Sequence, residues 1–345
     1  MTNIIKYLSS IHCALLSFAT LFIIVVIGTF AQTDHGIFYV QQEYFKPWFI
    51  WATVGNTRIP VFPGGTLAGT LLVINLMLST VLHIKWSWQR AGLIVLHVGV
   101  IVLLVGGGLS SCISRESQIY LEEGDKTFYS EDLHDVELIV IDALNKDFDY
   151  VITIPESRLK TDARIEDEAL PFDISVHAYF KNTLIKHSPD TLQNAMATQG
   201  IGKNLSVTKI PAFTQDDQRN NVTALVSFIP KGSRVESAEN TYLLALDING
   251  LQQITYNNRP YYVQIRPKRY YFPFFMTLKT FTKEYYPHSS IPKNYSSLIN
   301  IEPFNKKNGQ ERDVLIYMNH PFRDSHFTFY QASFGEERPS SVLQV

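Results

Sequence analysis

Hydrophobic residues run unbroken in three places in the first third of the chain and alternate with polar ones in the rest. Tyr7–Thr33, Ile59–Ile84 and Ala91–Ser114 contain no Asp, Glu, Lys or Arg. Each run exceeds the roughly 20 residues an α-helix needs to cross a bilayer. None shows the polar face of a helix buried in a soluble core. Three transmembrane α-helices are predicted, over 9–31, 66–84 and 92–112, with an outer loop at 32–65. The first apolar run is longer than a signal-peptide h-region, so it is read as a retained anchor even though Thr29-Phe30-Ala31 ends in small residues.

After residue 112 the period changes to two. Alternating or β-branched runs at 136–142, 150–154, 172–180, 204–210, 221–229, 241–248, 253–256, 260–266, 297–302, 313–318 and 326–334 predict strands. Asn308-Gly309 and Tyr256-Asn257-Asn258-Arg259 read as hairpin turns. A short amphipathic helix is predicted at 190–198, and polar loops at 156–168 and 212–219. The whole of 113–345 is expected to be a large, mostly-β, sandwich-like domain.

Charge separates the same two parts. The 345 residues carry 30 Lys and Arg against 32 Asp and Glu, with a mean hydropathy of −0.01, which averages two unlike regions. Residues 1–112 hold Lys6, Lys46, Arg58, Lys85 and Arg90 against Asp34 and Glu43, a net of +3. The remainder is net −5. No basic excess of the kind a nucleic-acid binder carries is present. Lys6 and the loop Lys85–Arg90 belong inside by the positive-inside rule, which places 32–65 and everything after Cys112 outside. Trp86 and Trp88 are expected at the inner interface. Tyr44, Phe45, Trp48, Phe49 and Trp51 are expected along the outer headgroup surface.

Cys13 and Cys112 lie at opposite ends of the predicted membrane region, separated by a bilayer core of about 30 Å, too far to form a disulfide. There is no C-x-x-C and no C-x-x-C-H, so the chain is neither a thioredoxin-like dithiol protein nor itself a c-type cytochrome. Gly65-x-x-x-Gly69 and the seven-residue recurrence Gly92, Gly99, Gly106 predict close helix packing, among the three spans or against partner helices. Arg266-Pro267-Lys268-Arg269, followed by Tyr270, Tyr271 and Phe272, is read as a solvated strand end or as a site for an anionic partner. No complete catalytic constellation is present, so the chain is not expected to be an enzyme by itself.

Three histidines fall in or beside the spans, where a coordinating side chain needs a functional reason. His12, His83 and His97 all belong to the inner half of the membrane, and His97 is the deepest. Imidazole is a common axial ligand of haem iron. His97 is the leading candidate for that role and His83 the second; His12 is better read as interfacial. The competing reading of His97 is a helix–helix hydrogen bond. In the outer part, His320 and His326 share a strand region without a metal-specifying spacing.

Several runs together resemble the ResB (CcsB) family of System II cytochrome c biogenesis. They are Gly28-Thr29-Phe30-Ala31-Gln32, Tyr44-Phe45 with Trp48, Val61-Phe62-Pro63-Gly64-Gly65, Asn75-Leu76, Leu96-His97-Val98-Gly99-Val100 and Gly106-Gly107-Gly108. Tyr120-Leu121-Glu122-Glu123-Gly124, Met318-Asn319-His320-Pro321 and Phe329-Tyr330-Gln331-Ala332-Ser333 add to the resemblance. It implies an inner (plasma) membrane protein with a periplasmic or otherwise extracytoplasmic C-terminal domain. It implies a CcsA-type multi-span partner and transport of haem b, held transiently as cargo, across the bilayer. Together the two proteins would join haem to apocytochrome c. His97 would supply one axial ligand to the haem iron and the partner the second. Members usually carry a fourth span after the outer domain; here the gene is expected to be split or truncated, or the partner to supply the missing helix. The rival reading is a membrane-anchored extracytoplasmic interaction or sensor module without haem.

Overall fold

A computed structural model of the chain describes residues 3–55, 57–84, 87–143, 148–187, 196–215, 218–232, 240–289, 291–305, 310–335 and 338–345. The chain divides into two compact units, Met1–Ser114 with Phe213–Gln218, and Arg115–Ala212 with Arg219–Val345.

The first unit is helical. A short helix α1 (Asn3–Leu8) is followed by α2 (Ile11–Val40), whose N-cap Ser10 accepts a hydrogen bond from the Cys13 N–H at 3.3 Å. Then come α3 (Gly65–His83) and α4 (Ala91–Ile113). α2, α3 and α4 are long and apolar enough to cross a membrane, as the charge-free runs predict. The helix that holds the first predicted span runs on well past residue 31. Gln32-Thr33-Asp34-His35 are polar but do not break a helix, and the backbone leaves helical geometry only at Gly36, with φ 74° and ψ 168°. Helix resumes to Val40 and widens into a π-helical turn at Gln41–Phe45. The predicted outer loop is thus largely ordered, because an antiparallel hairpin of Phe49–Val54 and Thr57–Pro63 follows.

α3 packs against both α2 and α4. Its buried positions Ala68, Leu72, Asn75, Leu76 and Thr80 form one stripe at helical spacing. The glycine expectation changes in its first alternative, packing among the three spans. Nothing lies within 4 Å of a Cβ placed on Gly69, Gly92, Gly99 or Gly106, so these glycines do not pack the three spans together. The close approach is made by Gly64 and Gly65, where an added Cβ would lie 2.0 Å from the Pro47 carbonyl oxygen and 2.7 Å from that of Phe45. Gly64 N–H donates to Trp48 O at 2.8 Å and Thr66 Oγ1 donates to Lys46 O at 2.8 Å, so the start of α3 is fastened to this backbone.

The second unit is mostly β, with all eleven predicted strands present and two large hydrophobic cores beside a small one of Ala197, Leu243, Ala245 and Ile248. One core lies between an antiparallel sheet (Thr241–Ala245, Thr223–Pro230, Phe172–Phe180, Ala163–Ile165) and parts of a larger ten-stranded sheet. Phe172, Leu138, Val140, Val226 and Val263 are among its fully enclosed side chains. The other core is built on Leu121, Phe272, Met276, Ile299, Phe329 and Leu343. Of two long paired strands, Lys126–Asp142 contributes to the first core, and Arg259–Tyr285 runs on from the first core into the other. The sequence pattern predicted only 260–266 of the second. The strand continues through Pro267, which cannot donate to a ladder, because the register shifts between Pro267 and Arg269. The predicted hairpin turn at Asn257-Asn258 is present, with positive φ at both residues (49° and 61°) and Tyr256 paired with Arg259. Asn308-Gly309 and most of the predicted helix at 190–198 lie outside the described residues; Met196–Thr198 are not helical.

Candidate functional site

Polar side chains are scarce in the helical unit, and those that are buried have partners. Asn75 on α3 donates through Nδ2 to the carbonyls of Leu8 (2.6 Å) and Ser10 (2.9 Å), at the break between α1 and α2. Ser17 Oγ donates to Cys13 O one turn back on α2 at 2.9 Å. Thr80, five residues beyond Asn75, is buried and meets His97 of α4, with 2.8 Å between Oγ1 and Nδ1.

The direction of that bond follows from its neighbour. Thr80 Oγ1 also lies 2.6 Å from the carbonyl oxygen of Leu76, which can only accept. Two acceptors that close without a proton between them repel, so the single hydroxyl proton lies on the Leu76 bond. Oγ1 then accepts from His97, and Nδ1 carries the hydrogen. The ring's other nitrogen, Nε2, holds its lone pair free. His97 is half-buried, Nε2 has no hydrogen-bond partner among the described residues, and no enclosed side-chain nitrogen or oxygen among them lacks a partner. Nε2 therefore reaches the surface of α4, and no residue of α4 is fully buried.

The other two histidines are not brought to this point. His83 is the last residue of α3, one turn past Thr80, exposed and without a hydrogen bond to any described residue. His12 is exposed near the start of α2. Cys13 is buried and Cys112 exposed, both as free thiols. Trp48, just before the hairpin, and Trp51 on it are exposed, in keeping with a headgroup position, whereas Phe45 packs on Gly28. Thr80 is the site residue that the pattern of hydrophobic runs hides. A hydroxyl in an apolar span carries little signal until the facing helix is known.

In the β unit the basic cluster is neutralised from within. Arg266 Nε donates to Glu137 at 2.9 Å with both side chains 9% exposed, and its Nη2 donates to Tyr271 OH at 3.0 Å. Arg269 pairs with Glu131 at 3.1 Å and lies 3.9 Å above the Tyr129 ring; Lys268 faces Asp135 at 3.9 Å. Tyr270 OH donates to Asp132 at 2.9 Å, and burial together with that carboxylate pushes the phenol up from its ordinary value. These pairs line the stretch where the strand Arg259–Tyr285 passes from one core to the other. They oppose the reading of the cluster as an anion site. His320 stacks on Tyr317 with ring centroids 4.5 Å apart, and His326 is exposed. Among the described residues no three His, Cys, Asp or Glu side chains are placed to share a metal ion.

The fold and this site define a chain with three helices long and apolar enough to cross a membrane, a β-rich domain, and a histidine of one such helix held by its neighbour. Residues 253–345 match the ResB-like family. The match covers most strands of the second core and bears out the resemblance read from the sequence; the family is associated with cytochrome c biogenesis. None of the curated proteins compared with the chain matches it.

Proposed function

We propose that the chain is a haem-handling subunit of a cytochrome c assembly complex, which carries haem across the membrane and presents it to apocytochrome c with a CcsA-type partner. The observation that carries this reading is the state of His97. Its Nδ1–H is engaged inside the protein and its Nε2 lone pair faces outward in an apolar helix, where an unpaired polar atom is costly. Porphyrin iron suits that arrangement. It brings four nitrogen ligands of its own and asks the protein for only one or two axial ones, whereas a bare metal ion would need more donors than the described residues gather here.

In this reading His97 Nε2 offers one axial ligand and the partner the other. The exposed α4 surface lets a flat cargo approach without displacing a side chain of α2 or α3. Lys6, Lys85 and Arg90 set the inner side, which puts His97 in the inner half of the bilayer and the β unit on the extracytoplasmic side. In this reading the covalent step, addition of a cysteine S–H across a haem vinyl group, is assigned to the partner.

The test is co-expression with a CcsA-type partner, purification in detergent and an absorption spectrum. A low-spin, six-coordinate haem is expected, lost in His97→Ala and kept in His83→Ala. Retention in His97→Ala with loss in His83→Ala would transfer the ligand role to His83. A complex that never holds haem would favour an interaction module instead.

A further inference from the structure

We infer that Thr80 is the positioning residue for His97, fixing both its tautomer and its ring plane; this rests on the proposed ligand role of His97. Three observations lead there. Thr80 is 6% exposed and belongs to the buried stripe of α3, so its side chain has little room to turn. Its proton is committed to the Leu76 carbonyl at 2.6 Å, so only lone pairs face the imidazole. The imidazole meets those lone pairs through Nδ1 at 2.8 Å, which leaves Nε2 as the donor of an electron pair.

The relay runs from His97 Nδ1–H to Thr80 Oγ1 and from Thr80 Oγ1–H to Leu76 O. It spans two helices, so the ring of α4 is held by the backbone of α3. Partners of this kind set which imidazole nitrogen is free and how the ring is turned. The acceptor here is a neutral hydroxyl and not a carboxylate. It orients the ring without the added basicity that a negative partner confers, which suits a ligand that has to release what it holds.

Thr80→Val keeps the branch and the volume but removes the hydroxyl; Thr80→Ser keeps the hydroxyl. In the complex with the CcsA-type partner, Thr80→Val is expected to lower haem occupancy about ten- to hundredfold and to broaden the low-spin electron paramagnetic resonance signal. Thr80→Ser is expected to restore both. A second readout needs no haem. In the full chain labelled with 15N-histidine, the His97 resonances, assigned by their loss in His97→Ala, should show Nδ1 protonated. Thr80→Val should shift the ring toward the other tautomer. Wild-type ring shifts and wild-type haem occupancy in a folded Thr80→Val protein would overturn the positioning role while leaving the ligand role standing. A haem-free wild-type complex whose His97 still follows Thr80 in the 15N spectrum would overturn the ligand role alone.

Discussion

The two units of the chain use polar side chains in opposite ways. In the helical unit, Asn75, Thr80 and His97 are isolated among apolar neighbours, and two of them converge on a nitrogen left open to the outside. In the β unit, charged groups are abundant and close on one another. Arg266 with Glu137, Arg269 with Glu131 and Arg164 with Asp173 leave little local charge to offer a ligand. The region with the least polar chemistry therefore presents the better candidate site. A satisfied ion pair serves the fold, while a half-satisfied imidazole in an apolar helix invites a partner.

The sharpest way to break this comparison is to leave one charge of the β unit unpaired. Arg266→Met strands Glu137 where both side chains are 9% exposed. It should cost about 3–5 kcal/mol of stability, as loss of one member of a buried pair does. Adding Glu137→Leu should return much of that loss. Denaturant midpoints of the two variants measure it. An unchanged midpoint in Arg266→Met would mean that the pair is not structural, and would reopen the cluster as a binding site.

A smaller effect separates packed from open glycines in the helical unit. Gly64→Ala drives a Cβ to 2.0 Å from the Pro47 carbonyl oxygen, a clash with backbone that cannot swing aside. A loss of about 1–3 kcal/mol is expected, in line with overpacking elsewhere. Gly99→Ala meets nothing within 4 Å and should leave the isolated chain's thermal midpoint unchanged or slightly raised, since alanine is the better helix former. If Gly99→Ala weakens co-purification of a partner while sparing that midpoint, the open face of α4 is where the partner sits.

Much of this was legible in the residues. The three long helices follow from charge-free runs, and the strands from alternation. His97 stands out because a histidine deep in such a run needs a reason. What stayed hidden depended on what faces what. The extension of α2 past Ala31 needed the knowledge that only Gly36 breaks it. Thr80 acquires a role only once α3 lies beside α4. The basic cluster carries no mark of its acidic partners, which lie about 130 residues earlier on the neighbouring strand. The motif Phe329–Ser333 proves structural, with Phe329 fully buried and Gln331 accepting from Ser297 at 2.6 Å.

The finest distinction lies within the β unit, where one carboxylate is held less well than its neighbours. Asp135 is pushed above its ordinary 3.8, first by burial and then by repulsion from Asp132, with Lys268 only partly compensating. A carboxyl raised in the folded state binds its proton more tightly there than in the unfolded chain. Its contribution to stability is complete below 3.8 and is lost as pH rises through the folded value. Asp135→Asn should therefore be more stable than wild type near neutral pH, and the gain should vanish below about pH 3.8. Because the burial is only partial, with the side chain 60% exposed, screening by water should keep the gain under about 1 kcal/mol. Thermal midpoints of both proteins across pH 3 to 8 decide the sign. A loss near neutral pH would show that the pairing with Lys268 outweighs the repulsion, which would make Asp135 one more closed pair of the β unit and not its exception.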